Sequence, residues 1–436
     1  MKNDNFSSSN HPGREVIFLL KKLIMTHDHN KQLATDLANQ ILAEIQAGQQ
    51  ISPAHILQAS MNMLMQAERK VHLEQNPQDK GNGSFTRKLG TSLGALALEV
   101  PRDRDGDFRP AILPAPYQRD YKEREELLES LLLNSYSPQA IQRTLHGLDL
   151  HYNPKELESL KNHYNELFMQ WQQRELPQDV IGLFVDAYHA DTLINNKVCK
   201  TVIYVIIGID FSGHKSLYGL YLYQGNESKT FWLQTLNQLI QRGVKCPLFL
   251  VSDDFAGLKE AIATLYPQTF HQLCFIHMQR NVHKNMGKDD AKAFNQALES
   301  IKLSKTFEAA CSSFIALCDS WSATYPTFMQ ALSSKAKHYF AFIHLHIDVR
   351  KFFYTTNSVE SFNSILERHR LQMGGFFQSE ECLRVNVFIT LRKLHQNKWK
   401  NGVPLIKSAL YTLRQLFATQ YERLPIESIS SSFPDS

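Results

Sequence analysis

No run of about 18 uninterrupted apolar residues occurs anywhere in the chain, which removes membrane-spanning readings. An export signal is not expected either. Residues 1–12 are polar, and the next apolar run, 16–25, carries Lys21 and Lys22 with no small-residue cleavage site behind it, so the expected compartment is the cytoplasm. Cysteine is scarce: the six, at Cys199, Cys246, Cys274, Cys311, Cys318 and Cys382, lack framework spacing, so reduced thiols are expected and a disulfide scaffold is not. Charge of one sign never accumulates. The net charge of +4 is spread along the chain with no basic or acidic tail, which permits a nucleic-acid partner without demonstrating one. Internal repeats are absent. What remains is a chain of 436 residues, 43% hydrophobic, enough for roughly two to four domains with cores of their own.

Residues 13–72 read as helices, because Leu33, Leu37, Ile41, Leu42 and Ile45, then Ile56, Leu57, Met61 and Leu64, recur at helical spacing. A polar, glycine-bearing stretch follows at 75–84, then a short strand with alternating Leu96, Leu98 and Val100, and a charged turn at 101–108 containing Arg102 and Arg104. Residues 121–166 give helix, break, helix, break, helix, with Ser137 before Pro138 as an N-cap signal. This is the pattern of a helix-turn-helix, with Gln139, Gln142, Arg143 and His146 on the second helix, or equally of a plain helical bundle. After Pro177 apolar, β-branched runs appear at 180–185, 201–209, 217–223 and 248–251, with an amphipathic helix between the last two and a possible fifth strand at 269–275. From Gln279 to His346 the composition is helical throughout, which reads as an all-α insertion; helices resume near Asn357, and the serine-rich end looks frayed.

Two-metal phosphoryl transfer needs several carboxylates converging so that two Mg2+ ions sit about 4 Å apart. Acids at strand ends of one sheet, joined by one from a helix, supply such a set. Asp186 follows the apolar run 181–185 and Asp253 follows 248–252. A strand-end aspartate is most often a solvated group or a helix cap. Asp210 and Asp254 are rivals on the same grounds, and Glu260, Glu360, Glu367 and Glu380 are all eligible for the helical position. The pair Cys274 and His277 has the i, i+3 spacing of metal ligands, but a structural zinc site needs four, so packing or hydrogen bonding is the preferred reading.

Several separated blocks agree in order with a known family. They include Asn82-Gly83, Pro101-Arg102-Asp103-Arg104, Trp171 and Arg174, Phe231-Trp232, and Val251-Ser252-Asp253 followed by Gly257-Leu258 and Ala261-Ile262. Further on come Cys274-Phe275-Ile276-His277, Arg280-Asn281, Tyr325-Pro326, Arg350-Lys351, and Thr355-Thr356-Asn357 with Glu360-Ser361 and Asn363. Over roughly residues 80–400 the chain resembles the Mutator-type transposases of bacterial insertion sequences. The resemblance implies an α/β, ribonuclease H-like mixed-sheet core interrupted by an all-α insertion and preceded by a mostly helical DNA-binding region. It implies Asp186, Asp253 and Glu360 as the catalytic, metal-holding acids, with two Mg2+ ions, or Mn2+ in their place, at each active site. The family usually has Asp followed by Gly; here Asp254 follows Asp253, which makes Asp254 the alternative ligand.

The expected organisation is an N-terminal helical region (1–80), a strand and turn segment (81–120), a helix-turn-helix-like DNA-binding region (121–176), the first part of the catalytic core (177–278), the insertion (279–349), the rest of the core with C-terminal helices (350–422) and a flexible tail (423–436). The partner is double-stranded DNA, both the terminal inverted repeats and the target, with Arg102, Arg104, Arg143, Arg280 and Lys284 as candidate contacts. A homodimer on DNA, located on the nucleoid, is the mechanistic expectation. A DNA-binding regulator or a nuclease on the same fold is the competing reading.

Overall fold

The computed structural model describes residues 27–91, 93–114, 122–135, 137–147, 152–223 and 228–426. The chain divides into two compact units, Met1–Leu157 and Glu158–Ser436.

In the first unit the expected helices are present as α1 (His27–Gln46) and α2 (Pro53–Gln75); residues 13–26 lie outside the described part. Ser52 starts α2 as its N-cap, its hydroxyl accepting the His55 N–H at 3.2 Å, with Pro53 in the first turn where no N–H is needed. The glycine-bearing stretch is not a loop throughout: Gly81–Thr91 is a strand, β1, paired antiparallel with β2 (Gly94–Asp103). Its first six residues are exposed, so no hydrophobic alternation announces them, whereas every second residue of β2 from Gly94 to Val100 is buried. Leu89, Leu96, Leu98 and Val100 pack against Met61 and Met65 of α2 and Leu113. Then come α3 (Lys122–Asn134) and α4 (Pro138–Gly147), and the third expected helix, α5 (Pro154–Gln173), begins in this unit and belongs to the second from Glu158 on; residues 148–151 lie outside the described part.

The second unit is built on a five-stranded mixed sheet of β3 (Asp179–Ile194), β4 (Lys197–Asp210), β5 (Lys215–Tyr223), β6 (Cys246–Ser252) and β7 (Phe270–Leu273), in the order β5-β4-β3-β6-β7. The pairs β3/β4 and β4/β5 are antiparallel, and β3/β6 and β6/β7 are parallel. Between β5 and β6 runs α6 (Lys229–Gln241), capped by Ser228, and between β6 and β7 runs α7 (Leu258–Leu265). Trp232, Leu236 and Leu239 of α6 and Leu258, Ala261 and Ile262 of α7 cover Leu183, Val185, Tyr204, Ile206 and Leu250, all buried. Each such side chain contributes about 1.5–3 kcal/mol when fully removed from water.

No strand follows β7 among the described residues. The chain continues as α8 (Phe275–Asn285), α9 (Lys288–Lys302), α10 (Phe307–Trp321), α11 (Pro326–Ser333), α12 (Ala336–Tyr339), a 3-10 turn (Ala341–His344), α13 (Ile347–Phe353), α14 (Asn357–Gln372), α15 (Glu380–Gln396), α16 (Pro404–Ser408) and α17 (Leu410–Tyr421). On the sheet face opposite α6 and α7, Phe184 meets Phe352 and Phe353 with ring centres 5.5 and 5.6 Å away, which seats α13 and the start of α14. The expected tail is anchored at its root, because Arg423 donates two hydrogen bonds of 2.6 Å to the buried Asp179 carboxylate and the Ile426 N–H adds a third at 2.7 Å. No helix among the described residues is long and apolar enough to cross a membrane.

Candidate active site

Strand register brings the first two acids together. The parallel pairing of β3 with β6 ends at Val185↔Ser252, so the next residue of each strand, Asp186 and Asp253, emerges at the same edge. Asp186 does not end its own strand, as the sequence suggested. β3 runs on to Ile194 because β4 keeps pairing with it, while β6 stops at Ser252; the end that matters is that of β6. The Cys274 N–H donates to the Ser252 carbonyl at 2.7 Å, and the chain then turns through residues 253–257 into α7.

The third acid arrives on α14. Glu360, Asn363 and Glu367 share a stripe of that helix, and the stripe lies along β3: the Asn363 amide donates to Asp186 Oδ2 at 2.8 Å, and the Tyr188 hydroxyl donates to Glu367 Oε2 at 2.7 Å. The match is geometric, since two strand residues advance about 6.6 Å and four helical ones about 6 Å. Glu360 is one turn before Asn363, in the first turn of α14. Burial, with the negative charge of Asp253 and to a smaller extent of Glu360, pushes the Asp186 carboxyl up to about 6, while His277 and the Ala187 N–H pull it back. Asp186 is 7% exposed, so this repulsion acts in a poorly screened place.

Helix α8 supplies the cationic side. His277 Nδ1 pairs with Asp253, and Arg280 Nη1 reaches Glu360 Oε1 at 3.4 Å and His277 Nε2 at 2.9 Å. Burial disfavours an imidazolium, but the hydrogen bonds and charges of Asp253 and Cys274 outweigh it and raise the His277 pKa to about 10. Arg280 opposes this, because a guanidinium can donate only to a lone pair; its contact requires an unprotonated Nε2, with the ring proton on Nδ1 facing Asp253. Cys274 is buried and its sulfur accepts from the Thr356 hydroxyl at 3.5 Å, linking α8 to the residue before α14. The ligand atoms of Asp253, Cys274 and His277 lie within 4.8 Å of one another, so the i, i+3 pair meets the second strand-end aspartate rather than a second pair of its own type.

The rival acids are engaged elsewhere. Asp254 pairs with Lys335, at the end of α11. Asp210 Oδ1 accepts the N–H groups of Ser212 and His214, both at 2.9 Å, inside the β4–β5 turn. Glu367 is held by Arg370 at 2.6 Å and Glu380 by Arg384 at 3.3 Å, while Glu260 is exposed on α7. Packing and hydrogen bonding, the preferred reading for Cys274 and His277, is what the structure shows; sequence reasoning missed that His277 pairs with Asp253 and that Asn363 bonds Asp186, and the available signal was their spacing, three residues beyond Cys274 and three beyond Glu360.

Arg280 and Lys284 lie exposed one turn apart on α8, leading away from Glu360. Arg143 is exposed on α4, and Arg102 and Arg104 are exposed at the end of β2 and just beyond it, with the Arg102 guanidinium 5.3 Å from the Phe85 ring centre. These last three belong to the first unit, so the five candidate cations do not form one cluster within a unit.

Residues 24–402 match the family model described as transposase, Mutator family, which reaches further upstream than the motif blocks. The chain is 28% identical over 351 residues to the transposase for insertion sequence element ISRM3 of Rhizobium meliloti, covering 80% of this chain and 86% of that one. It is 27% identical over 340 residues to the transposase for IS1201 of Lactobacillus helveticus, covering 75% and 90%, and 28% identical over 340 residues to that for IS905 of Lactococcus lactis, covering 75% and 85%. Ordered motifs, one mixed sheet with acids at its parallel edge, and a family match spanning most of the chain agree: this protein belongs to the Mutator family of transposases.

Proposed function

We propose that the chain is a DDE transposase that binds the terminal inverted repeats of an insertion sequence and carries out metal-dependent DNA cleavage and strand transfer, with Asp186, Asp253 and Glu360 as its acids. The observation that carries the reading is the strand register that sets Asp186 and Asp253 side by side where the β3/β6 pairing ends, with α14 held to Asp186 through Asn363 and its Glu360 linked toward Asp253 through Arg280 and His277. The mixed sheet, with Asp186 and Asp253 one residue beyond the last parallel pair of β3 and β6, supports a ribonuclease H-like core, and the uninterrupted helices after β7 support an all-α insertion at 279–349.

The residues fit divalent metal. Asp186 is buried where uncompensated charge is costly and feels the charge of Asp253 and, more weakly, of Glu360, which supports a divalent ion among them; all-oxygen donors suit Mg2+, or Mn2+ as a substitute. Asp186, Asp253 and Glu360 would hold two such ions, which would supply positive charge to the nucleophile and to the phosphate oxygens. Asn363 holds Asp186 Oδ2, and His277 orients Asp253 in the same manner. Arg280 and Lys284 bind backbone phosphates beside the acids. A water oxygen bonds to phosphorus as the bond to the 3′ oxygen breaks; the freed 3′ hydroxyl then attacks a target phosphodiester, displacing its 3′ oxygen in turn. Positioning and charge neutralisation do the catalytic work. Both element ends must meet, so the acting form is a homodimer on DNA, with Arg102 and Arg104 of the turn after β2 and Arg143 of the helix-turn-helix-like region binding the ends.

The test is the full chain with a duplex carrying an element end and Mg2+. Wild type is expected to cut and to join the end to target DNA, and Asp186→Asn to lose both by about a thousandfold or more while retaining end binding. Retained cleavage in the variant overturns the acid assignment; wild-type cutting without joining reduces the protein to a nuclease, and binding without cutting to a regulator.

A further inference from the structure

Away from the acids of the sheet, the first unit contains a second convergence of ligating groups. His72 closes the last turn of α2, Asp79 precedes β1 and Asp103 ends β2. Their ligand atoms lie within 4.8 Å of one another, with His72 Nε2 3.5 Å from Asp103 Oδ2 and 3.7 Å from Asp79 Oδ2. Both carboxylates are buried, their side chains 3% and 1% exposed. Backbone donors fix them: Asp79 Oδ1 accepts from the Lys80 and Arg104 N–H groups at 2.6 and 3.2 Å, and Asp103 accepts from Gly106 at 3.0 Å and Phe108 at 2.8 Å. Asp79 Oδ2 is left buried with no hydrogen-bond partner. On the far side of the ring, the Asn76 amide is 3.4 Å from His72 Nδ1, so Nε2 is the atom aimed at the two acids.

Those separations exceed a hydrogen bond, whose N–H···O distance is about 2.7–3.2 Å. Ligands about 2.0–2.2 Å from a shared ion stand about 3.0–3.5 Å apart, close to what is seen. We propose that His72, Asp79 and Asp103 supply three of the four positions of a transition-metal site, of the zinc class, with water in the fourth, that ties the end of α2 to both ends of the β1–β2 hairpin and so holds the turn carrying Arg102 and Arg104. One imidazole nitrogen with two carboxylates favours such a dication over Mg2+. A shared proton or an imidazolium is the competing occupant. Nothing in this depends on the catalytic reading of the sheet acids.

The probe is Zn2+ added to the full chain carrying Asp253→Asn and Cys274→Ser, which disables the other cluster that contains a histidine. Dialysis followed by metal analysis is expected to find one zinc per chain, and thermal unfolding to show a rise in Tm; His72→Gln or Asp79→Asn, each added to that background, should lose at least tenfold in zinc affinity together with the Tm gain. Absence of retained zinc in the folded background protein overturns the site, as does zinc retention that neither substitution weakens. Should His72→Gln fail to fold, Asp79→Asn alone decides.

Discussion

At the scale of single residues, adjacency in sequence is a poor guide to adjacency in space. Asp253 and Asp254 are consecutive, but successive residues leaving a strand point to opposite sides, so one meets His277 and the other Lys335. The Lys335 pair is largely in water, with Asp254 46% and Lys335 29% exposed, and is worth at most about 1 kcal/mol. Asp253→Asn should therefore abolish strand transfer, whereas Asp254→Asn should leave its rate within about threefold of wild type. Comparing single-turnover rates of the two variants checks this, and the reverse order would move the second ligand to Asp254. Much of the motif content visible in the sequence has a different purpose. Arg350 donates to the carbonyls of Leu345, Ile343 and Ser304 at 2.9 to 3.1 Å, and the Tyr325 hydroxyl bonds Asp290 at 2.7 Å, so both act as internal ties. Residue identity alone could not separate these ties from the acids; only the strand register does.

At the scale of elements, what was legible followed from hydrophobic pattern, and what was not lacked one. The apolar runs of β4 and β6 and the amphipathic face of α6 carry a clear burial pattern, and all three elements formed where they were expected. The exposed half of β1 and the outer half of β3 carry little such signal, and each exists because a neighbouring strand continues to offer hydrogen bonds. Which acid of α14 stands beside Asp253 is not decided by the sequence, since Glu360 and Glu367 lie on the same stripe along β3; Glu367 is tied to Tyr188 and Arg370, whereas Glu360 meets Arg280, which also contacts His277 beside Asp253. The short element holding Asp253 depends on one backbone feature. Gly257, at φ +79°, begins α7 in the left-handed region, and a Cβ there would run into the backbone of Ser228 and Lys229 at the start of α6. Gly257→Ala should cost about 1–2 kcal/mol for the dihedral alone and more for the collision, and should slow cleavage by displacing Asp253. Denaturant unfolding beside a cleavage assay reads both effects; a variant equal to wild type in both would show that the loop is not under this constraint.

At the scale of the whole molecule, protonation and charge decide when the protein stays folded and what it binds. His271 is buried on β7, its Nε2 3.0 Å from the Ser252 hydroxyl; burial first, then the charges of His338 and Lys259, push its pKa down to about 3. The unfolded chain, with an ordinary histidine pKa near 6.5, binds this proton more readily. The stabilising contribution is thus complete above about pH 6.5 and is lost at about 1.4 kcal/mol per pH unit as the pH falls from there toward 3. His271→Asn should lower stability at neutral pH yet flatten its decline between pH 6.5 and 4.5, and parallel declines for the two proteins would rule the histidine out. DNA binding makes the complementary demand on surface charge. With a net charge of only +4, affinity cannot come from a global field and must come from placed cations. Arg102 and Arg143 are exposed in the first unit, whereas the acids belong to the second. If both meet phosphates, Arg102→Ala and Arg143→Ala in the full chain should each reduce the slope of log affinity against log salt by about 1, without altering the rate of cleavage once DNA is saturating. If instead Arg143 reads a base edge through the helix-turn-helix-like region, its substitution should leave that slope nearly unchanged and cost about 1–3 kcal/mol of discrimination between the element end and random duplex. Titrations at several salt concentrations with both duplexes separate the two roles, and unchanged affinity for either variant would remove that arginine from the interface.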